Sequence, residues 1–285
     1  MLRKTGLEKD PFSQLPKMLE RIQEAMHPLA GMQNNIQALA ARVSQPTRLE
    51  LAIKKFVTSN TEITKAFETL KVGPVDEFAK KLAQDTRRTR PLENAGWLPH
   101  YTTPFDIVEL RHTDTTLLQD ELLKYYKENW QNVRQKIETQ LAGYDLDEES
   151  KATFREALDA HEGGLYRSVC RVLFPEIERI ARRELHGGKI QKHIASQSCL
   201  RNLAGQMVPT ALDLPEYYVL VLFKQLNAHV YQSIANSNDL KLFEQDPVPN
   251  RHAAMHGLIN YRSTQNSLNM LFLADYIVQV IDFFK

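Results

Sequence analysis

The chain has 285 residues, 42% of them hydrophobic and 25% charged, with a formal net charge of +1. That length allows one large domain or two, on a scale of about 100–200 residues per domain, and the near-neutral balance excludes a protein that grips nucleic acid by bulk charge alone. Two cysteines, Cys170 and Cys199, support no disulfide framework and suit a reducing compartment. Residues 1–12 lack the apolar core of a signal peptide, and the longest apolar run, 270–274, is far short of a membrane span. The expectation is a cytoplasmic protein with no membrane partner.

In chain order, Leu19, Ile22, Met26, Leu29, Met32, Ile36, Leu39 and Val43 recur at three- and four-residue steps, which predicts a long amphipathic helix over 16–43, kinked at Pro28. The same period continues over 49–56 and 63–70, and Gly73-Pro74 precedes a further helix over 75–84. Residues 1–93 thus read as an N-terminal helical region suited to regulation or to a partner, and they hold no cluster of acid–base residues. From 94 to 112 the helical period is lost among Pro99, Pro104 and Gly96. This stretch reads as a connector, with Trp97 packed against a domain because a free linker rarely carries a tryptophan.

Residues 113–285 form the second unit. A helix is predicted over 117–141, with Leu118, Leu122, Tyr126, Trp130, Val133 and Ile137 on its apolar side and Gly143 at its end. The acidic stretch 145–162 has Phe154 and Leu158 as its apolar anchors. A helix over 165–185 follows, interrupted at Pro175 and stopped by Gly187-Gly188, with Val169, Leu173, Ile177 and Ile180 inward. A segment over 189–206, a helix over 216–234 and a last helix over 264–284, capped by Ser263, complete the chain. The last helix is apolar almost all round, so it is buried either in a bundle or against a second copy. No stretch alternates as a strand does, and the class is all-α. Charge is unevenly placed, with 17 Lys and Arg against 13 Asp and Glu in residues 1–113. Arg179, Arg182, Arg183, Lys189, Lys192 and Arg201 make a local basic run, readable as a solvated helix face or as an RNA-contacting edge.

Chemistry concentrates in Asn250-Arg251-His252-x-x-x-His256-Gly257, which follows Pro247 and Pro249. The prolines fix an extended entry, Asn250 stands where an N-cap belongs, and Gly257 can stop the short helix in the left-handed conformation. His252 and His256, four apart, share a face, whereas Arg251 and His256, five apart, converge only if the arginine folds back over the helix start.

This pattern, an Arg-x4-His in the fuller form just quoted and followed by a hydrophobic last helix, resembles the signature of HEPN-domain proteins, α-helical modules of prokaryotic toxins, phage-defence proteins and RNA-guided effectors. The resemblance covers roughly the last two-fifths to three-fifths of the chain. It implies a HEPN-like helical bundle acting as a metal-independent endoribonuclease, usually a homodimer, with no cofactor. RNA is then the substrate, and the N-terminal region would meet a trigger protein or an antitoxin. Carried onto this sequence, His256 is the proton-transfer residue, Arg251 stabilises the phosphate, Asn250 positions, and His252 is auxiliary or structural. Glu178, in the context Phe174-Pro175-x-Ile177-Glu178, would support the catalytic arginine. By spacing alone, Glu178 forms an i,i+4 surface pair with Arg182.

Rival readings remain. His252 and His256 have the spacing of a zinc pair, but Ala253 stands where a His-Glu-x-x-His helix carries its glutamate, and no third ligand is evident. No metal site is expected. Some HEPN toxins carry a tyrosine two residues after the motif histidine as a target of a nucleotidylating antitoxin. Here that position is Leu258, with Tyr261 the nearest tyrosine, which speaks against that pairing. From another class come a non-catalytic HEPN-like module that binds nucleotide or RNA or only dimerises, and an all-α scaffold in which the motif is incidental.

Overall fold

The computed structural model describes residues 80, 88–188, 222 and 225–283, and every regular element among them is helical. The helices expected over 16–43, 49–56 and 63–70 and the segment 189–206 lie outside the described residues, as does most of 75–84. After a helical turn through 88–94, the order is α1 (Phe105–Leu110), α2 (Thr115–Glu128), α3 (Trp130–Gly143), α4 (Glu148–Glu162), α5 (Tyr166–His186), a π-turn (Leu226–Val230), α6 (Ser237–Gln245), α7 (Arg251–His256) and α8 (Thr264–Phe283).

Local chemistry sets the starts. Asp114, Asp147, Asn236 and Asn250 each accept a backbone N–H of their own first turn, the arrangement that satisfies otherwise orphaned donors. Ser263 and Asn266 cap α8 reciprocally: Asn266 N–H donates to Ser263 Oγ at 3.0 Å and Ser263 N–H to Asn266 Oδ1 at 3.1 Å.

Two expected helices need correction. The single helix over 117–141 is two helices, because Asn129 (φ −109°, ψ 15°) directs both its backbone N–H and its side-chain amide to the Tyr125 carbonyl and closes α2. Pro175, expected to interrupt the following helix, lies inside an unbroken α5. The hydrogen bond it forgoes, to the Arg171 carbonyl, falls on the solvent side, where both residues are exposed. The helix expected over 216–234 ends earlier: a π-turn closes at Val230, and 232–235 is irregular. The short helices α1 and α6 were not expected.

α8 packs against α5 and α4, and α4 packs on both α5 and α3. Leu268, Leu271, Phe272, Tyr276, Val280 and Ile281 are all buried within this one chain. The described apolar surface of the last helix is therefore accounted for by the bundle, and these side chains offer no argument for a second copy on that helix.

Residues 94–104, read from the sequence as the start of a connector, are part of the core. Trp97 is buried as expected and stacks on Tyr126 with ring centroids 5.4 Å apart. The polar side chains of α8 hold the backbone of this segment. Asn269 accepts from Leu98 N–H (3.0 Å) and donates to the Gly96 carbonyl (2.8 Å), and Gln265 donates to the Ala95 carbonyl (2.8 Å). Gly96 has φ +70°, and a Cβ there would collide with the Pro247 ring, so this residue admits no side chain. Deeper in, Thr102 N–H donates to His100 Nδ1, which leaves Nε2 to donate to Asp275 Oδ2 at 3.3 Å. Asp275 also accepts from the Tyr144 hydroxyl (3.2 Å) and from Gln279 (2.8 Å).

Candidate functional site

The motif helix α7 is only six residues long, too short to be stable alone. Asn250 fixes it. This fully buried side chain accepts Ala253 N–H at 2.9 Å and donates to the carbonyls of His229 (2.6 Å) and Gln232 (2.9 Å), while its backbone N–H donates to the Tyr261 hydroxyl (2.9 Å). The carboxamide is committed to backbone, so any positioning by Asn250 acts through the start of α7. At the other end Gly257 is left-handed (φ +69°), and its N–H and that of Leu258 both donate to the Ala253 carbonyl.

Arg251, the first residue of α7, reaches across to α5. Its Nε donates to Glu178 Oε1 at 2.8 Å and its Nη2 to Glu178 Oε2 at 3.3 Å. The side chains are 24% and 14% exposed, so the pair is sheltered yet open to solvent. Two parallel bonds hold the guanidinium in one orientation as a single ion pair would not. The i,i+4 arithmetic had directed Glu178 along its own helix to Arg182. The fold instead brings it to a residue 73 positions away, because α7 packs against α5.

His252 and His256 share a face as the spacing required, with ring centroids 4.6 Å apart and planes at 53°. His256 is exposed and His252 half-buried, and His252 Nδ1 is buried without a hydrogen-bond partner among the described residues. Among those residues no group of three or more His, Cys, Asp and Glu is arranged to hold a metal ion.

The basic run divides. Arg179 is bonded to Glu176, to both carboxylate oxygens of Asp147 and to Ser150, and Arg183 pairs with Asp147. These two arginines tie α5 to the start of α4 and are not an open RNA-contacting edge. Lys189, Lys192 and Arg201 lie outside the described residues. A cleft of about 640 Å³ opens elsewhere, between Trp97, Gln119, Asp246, Asn260 and Gln265, and does not include Arg251, His252 or His256.

The sequence did not reveal the buried histidines as a class. His161 Nδ1 lies 2.7 Å from the Ser267 hydroxyl and its ring 4.2 Å from that of Trp130, and burial pushes its pKa down to about 4. Burial also lowers His100, against the raising influence of Asp275. Polar residues inside the apolar α8, Ser267 and Asp275, were the available signal for both. No helix among the described residues is long and apolar enough to cross a membrane. Comparisons with protein-family models, with curated proteins and with solved structures found no match to this chain.

Proposed function

We propose that the chain is a metal-independent endoribonuclease of the HEPN type, acting as an RNA-degrading toxin or phage-defence effector. The observation that carries this reading is the two-bonded Glu178–Arg251 pair between α5 and α7, with an exposed histidine at the other end of the same short helix. Cleavage without metal needs a base for the 2′-hydroxyl, an acid for the leaving 5′-oxygen and fixed positive charge on the pentavalent phosphate. Histidine changes protonation near neutral pH and serves either proton step. Arginine is charged throughout and presents its N–H groups as a fork. Glu178 orients that fork, His256 transfers the proton, and Asn250 holds the helix carrying both. His252, in ring contact with His256, tunes or orients it. One such set per chain is sparse, and a homodimer that faces two motifs toward one RNA would double it. The N-terminal region, residues 1–93, is assigned to a trigger protein or antitoxin.

A non-catalytic RNA- or nucleotide-binding or dimerisation module is the second reading, favoured by the position of the motif outside the large cleft. Incubation of the purified chain with labelled RNA in EDTA separates the two. The ribonuclease reading expects fragments ending in a 2′,3′-cyclic phosphate and a 5′-hydroxyl, and intact RNA on a binding-competent protein supports the module.

A further inference from the structure

On α5, at ~100° per residue, Arg167, Arg171, Glu178 and Arg182 fall within about 60° of one another. They form one stripe extending about 22 Å along the helix at 1.5 Å per residue. Glu178, in its middle, carries Arg251. Arg167 and Arg171 flank Ala254 of α7 and Tyr261, which puts the N-terminal half of the stripe directly beside the motif helix. All three arginines are exposed.

Among the described residues their charge is unopposed, as is that of Arg155 and Arg262, whereas other arginines of the bundle are paired. Arg134 is met by Glu138, Asp159 and Glu162, and Arg179 and Arg183 by Asp147. Among the described residues no carboxylate lies within ion-pairing distance of Arg167, Arg171 or Arg182. A fold that neutralises guanidinium groups on the neighbouring face and leaves this line open has positive charge available for an outside anion. α5 contains arginines and no lysine, and arginine's planar fork matches phosphate oxygens two at a time. Leu165, at the start of α5, and Met255 and Leu258, on either side of His256, are exposed apolar residues. A single strand, whose base faces are open to contact, can cover them, whereas a duplex hides those faces.

From this juxtaposition, and resting on the ribonuclease reading above, we propose that Arg167, Arg171 and Arg182 form a backbone track that leads single-stranded RNA across Arg251 and His256. The track contacts phosphates and not base edges, so it gives affinity and register without sequence preference.

The test uses the full chain and a fluorescein-labelled 2′-O-methyl oligouridylate. This probe lacks the attacking hydroxyl, so binding is read apart from cleavage. Anisotropy titrations over a range of KCl give the salt dependence of affinity. Replacing Arg167, Arg171 and Arg182 together by glutamine is expected to weaken binding at least ~10-fold at low salt. It should also flatten the slope of log K against log salt by about 2, from ~0.7 per single-strand phosphate. Lys124→Gln, Lys127→Gln and Lys136→Gln together, on α2 and α3, remove the same charge elsewhere and are expected to leave the slope in place. An unchanged slope in the arginine variant, equal loss in the lysine variant, or no binding by the unmodified chain would overturn the track. So would equally strong, arginine-dependent binding of phosphatidylserine vesicles or polyglutamate. The two proposals fail separately. Arginine-dependent binding of a natural RNA that stays uncut keeps the track and rejects the nuclease, and cleavage that the arginine variant leaves undiminished does the reverse.

Discussion

Two pairs of histidines in this bundle have opposite surroundings. His100 and His161 are buried, each hydrogen-bonded to a hydroxyl, and burial holds both below the ordinary imidazole range. His252 and His256 lie on a six-residue surface helix, in contact with each other, and that helix begins with an arginine oriented by a glutamate. The first pair is kept neutral by its surroundings and helps to fix one packing of the core. In the second, His256 is open to water and to any ligand that reaches α7, while His252 is half-buried beneath it. The same side chain is thus a core polar group in one place and a proton-transfer candidate in the other, and burial with committed partners decides which.

The largest effect expected on the core side comes from removing the segment that carries His100. A chain beginning at Thr113 loses Trp97, Leu98 and the backbone groups that Asn269 and Gln265 hold, so it should lack a cooperative thermal transition by circular dichroism. A folded product would place these contacts outside the core. Asp275→Ala leaves the donors of His100, Tyr144 and Gln279 without their shared acceptor. At roughly 1 kcal/mol or more per abandoned buried donor, urea unfolding should register a loss of about 3 kcal/mol.

The pH dependence sharpens the contrast. The unfolded chain protonates its histidines near pH 6.5, while folded His161 does so only near pH 4. Stability is therefore whole above about pH 6.5 and declines as pH falls toward 4, by roughly 3 kcal/mol for this one residue. His161→Gln should flatten that decline. A slope unchanged by the substitution would remove His161 from the account. The smallest effect belongs to His252→Ala, expected to lower cleavage less than His256→Ala and to leave the melting temperature nearly unchanged. A loss as large as that of His256→Ala would make His252 a full participant.

The sequence was most informative where a periodic stripe met a cap. Asn250 and Ser263 begin helices as expected, and the apolar faces of α5 and α8 were legible, whereas α4 was read only as an acidic stretch anchored by Phe154 and Leu158. The break at Asn129 was not, because Leu118, Leu122, Tyr126, Trp130, Val133 and Ile137 continue the same step across it. Residues 94–104 carry no helical period because they are held as irregular backbone by α8 side chains. Those side chains, Gln265 and Asn269, sit in a helix whose sequence was read only as apolar almost all round. All-round apolarity in the last helix could not distinguish a central helix from a dimer face, and burial within one chain decides for the former. Glu178 is the instructive case: spacing pairs it with Arg182, and only tertiary packing of α7 on α5 gives it to Arg251.

The most direct test of the central claim is RNA cleavage in EDTA by the unmodified chain, Arg251→Lys and His256→Ala, with a melting temperature for each. Lysine keeps the charge and loses the fork, and loss of one well-placed transition-state donor costs ~10²–10³ in rate. The account predicts RNA cleavage by the unmodified chain and a fall of that order in both variants. It also predicts a melting temperature for His256→Ala within about a degree or two of the parent, as for a surface substitution that breaks no buried contact. Variants that cleave as well as the parent, or that lose activity only by unfolding, would contradict it and leave Arg251 and His256 as parts of an all-α scaffold.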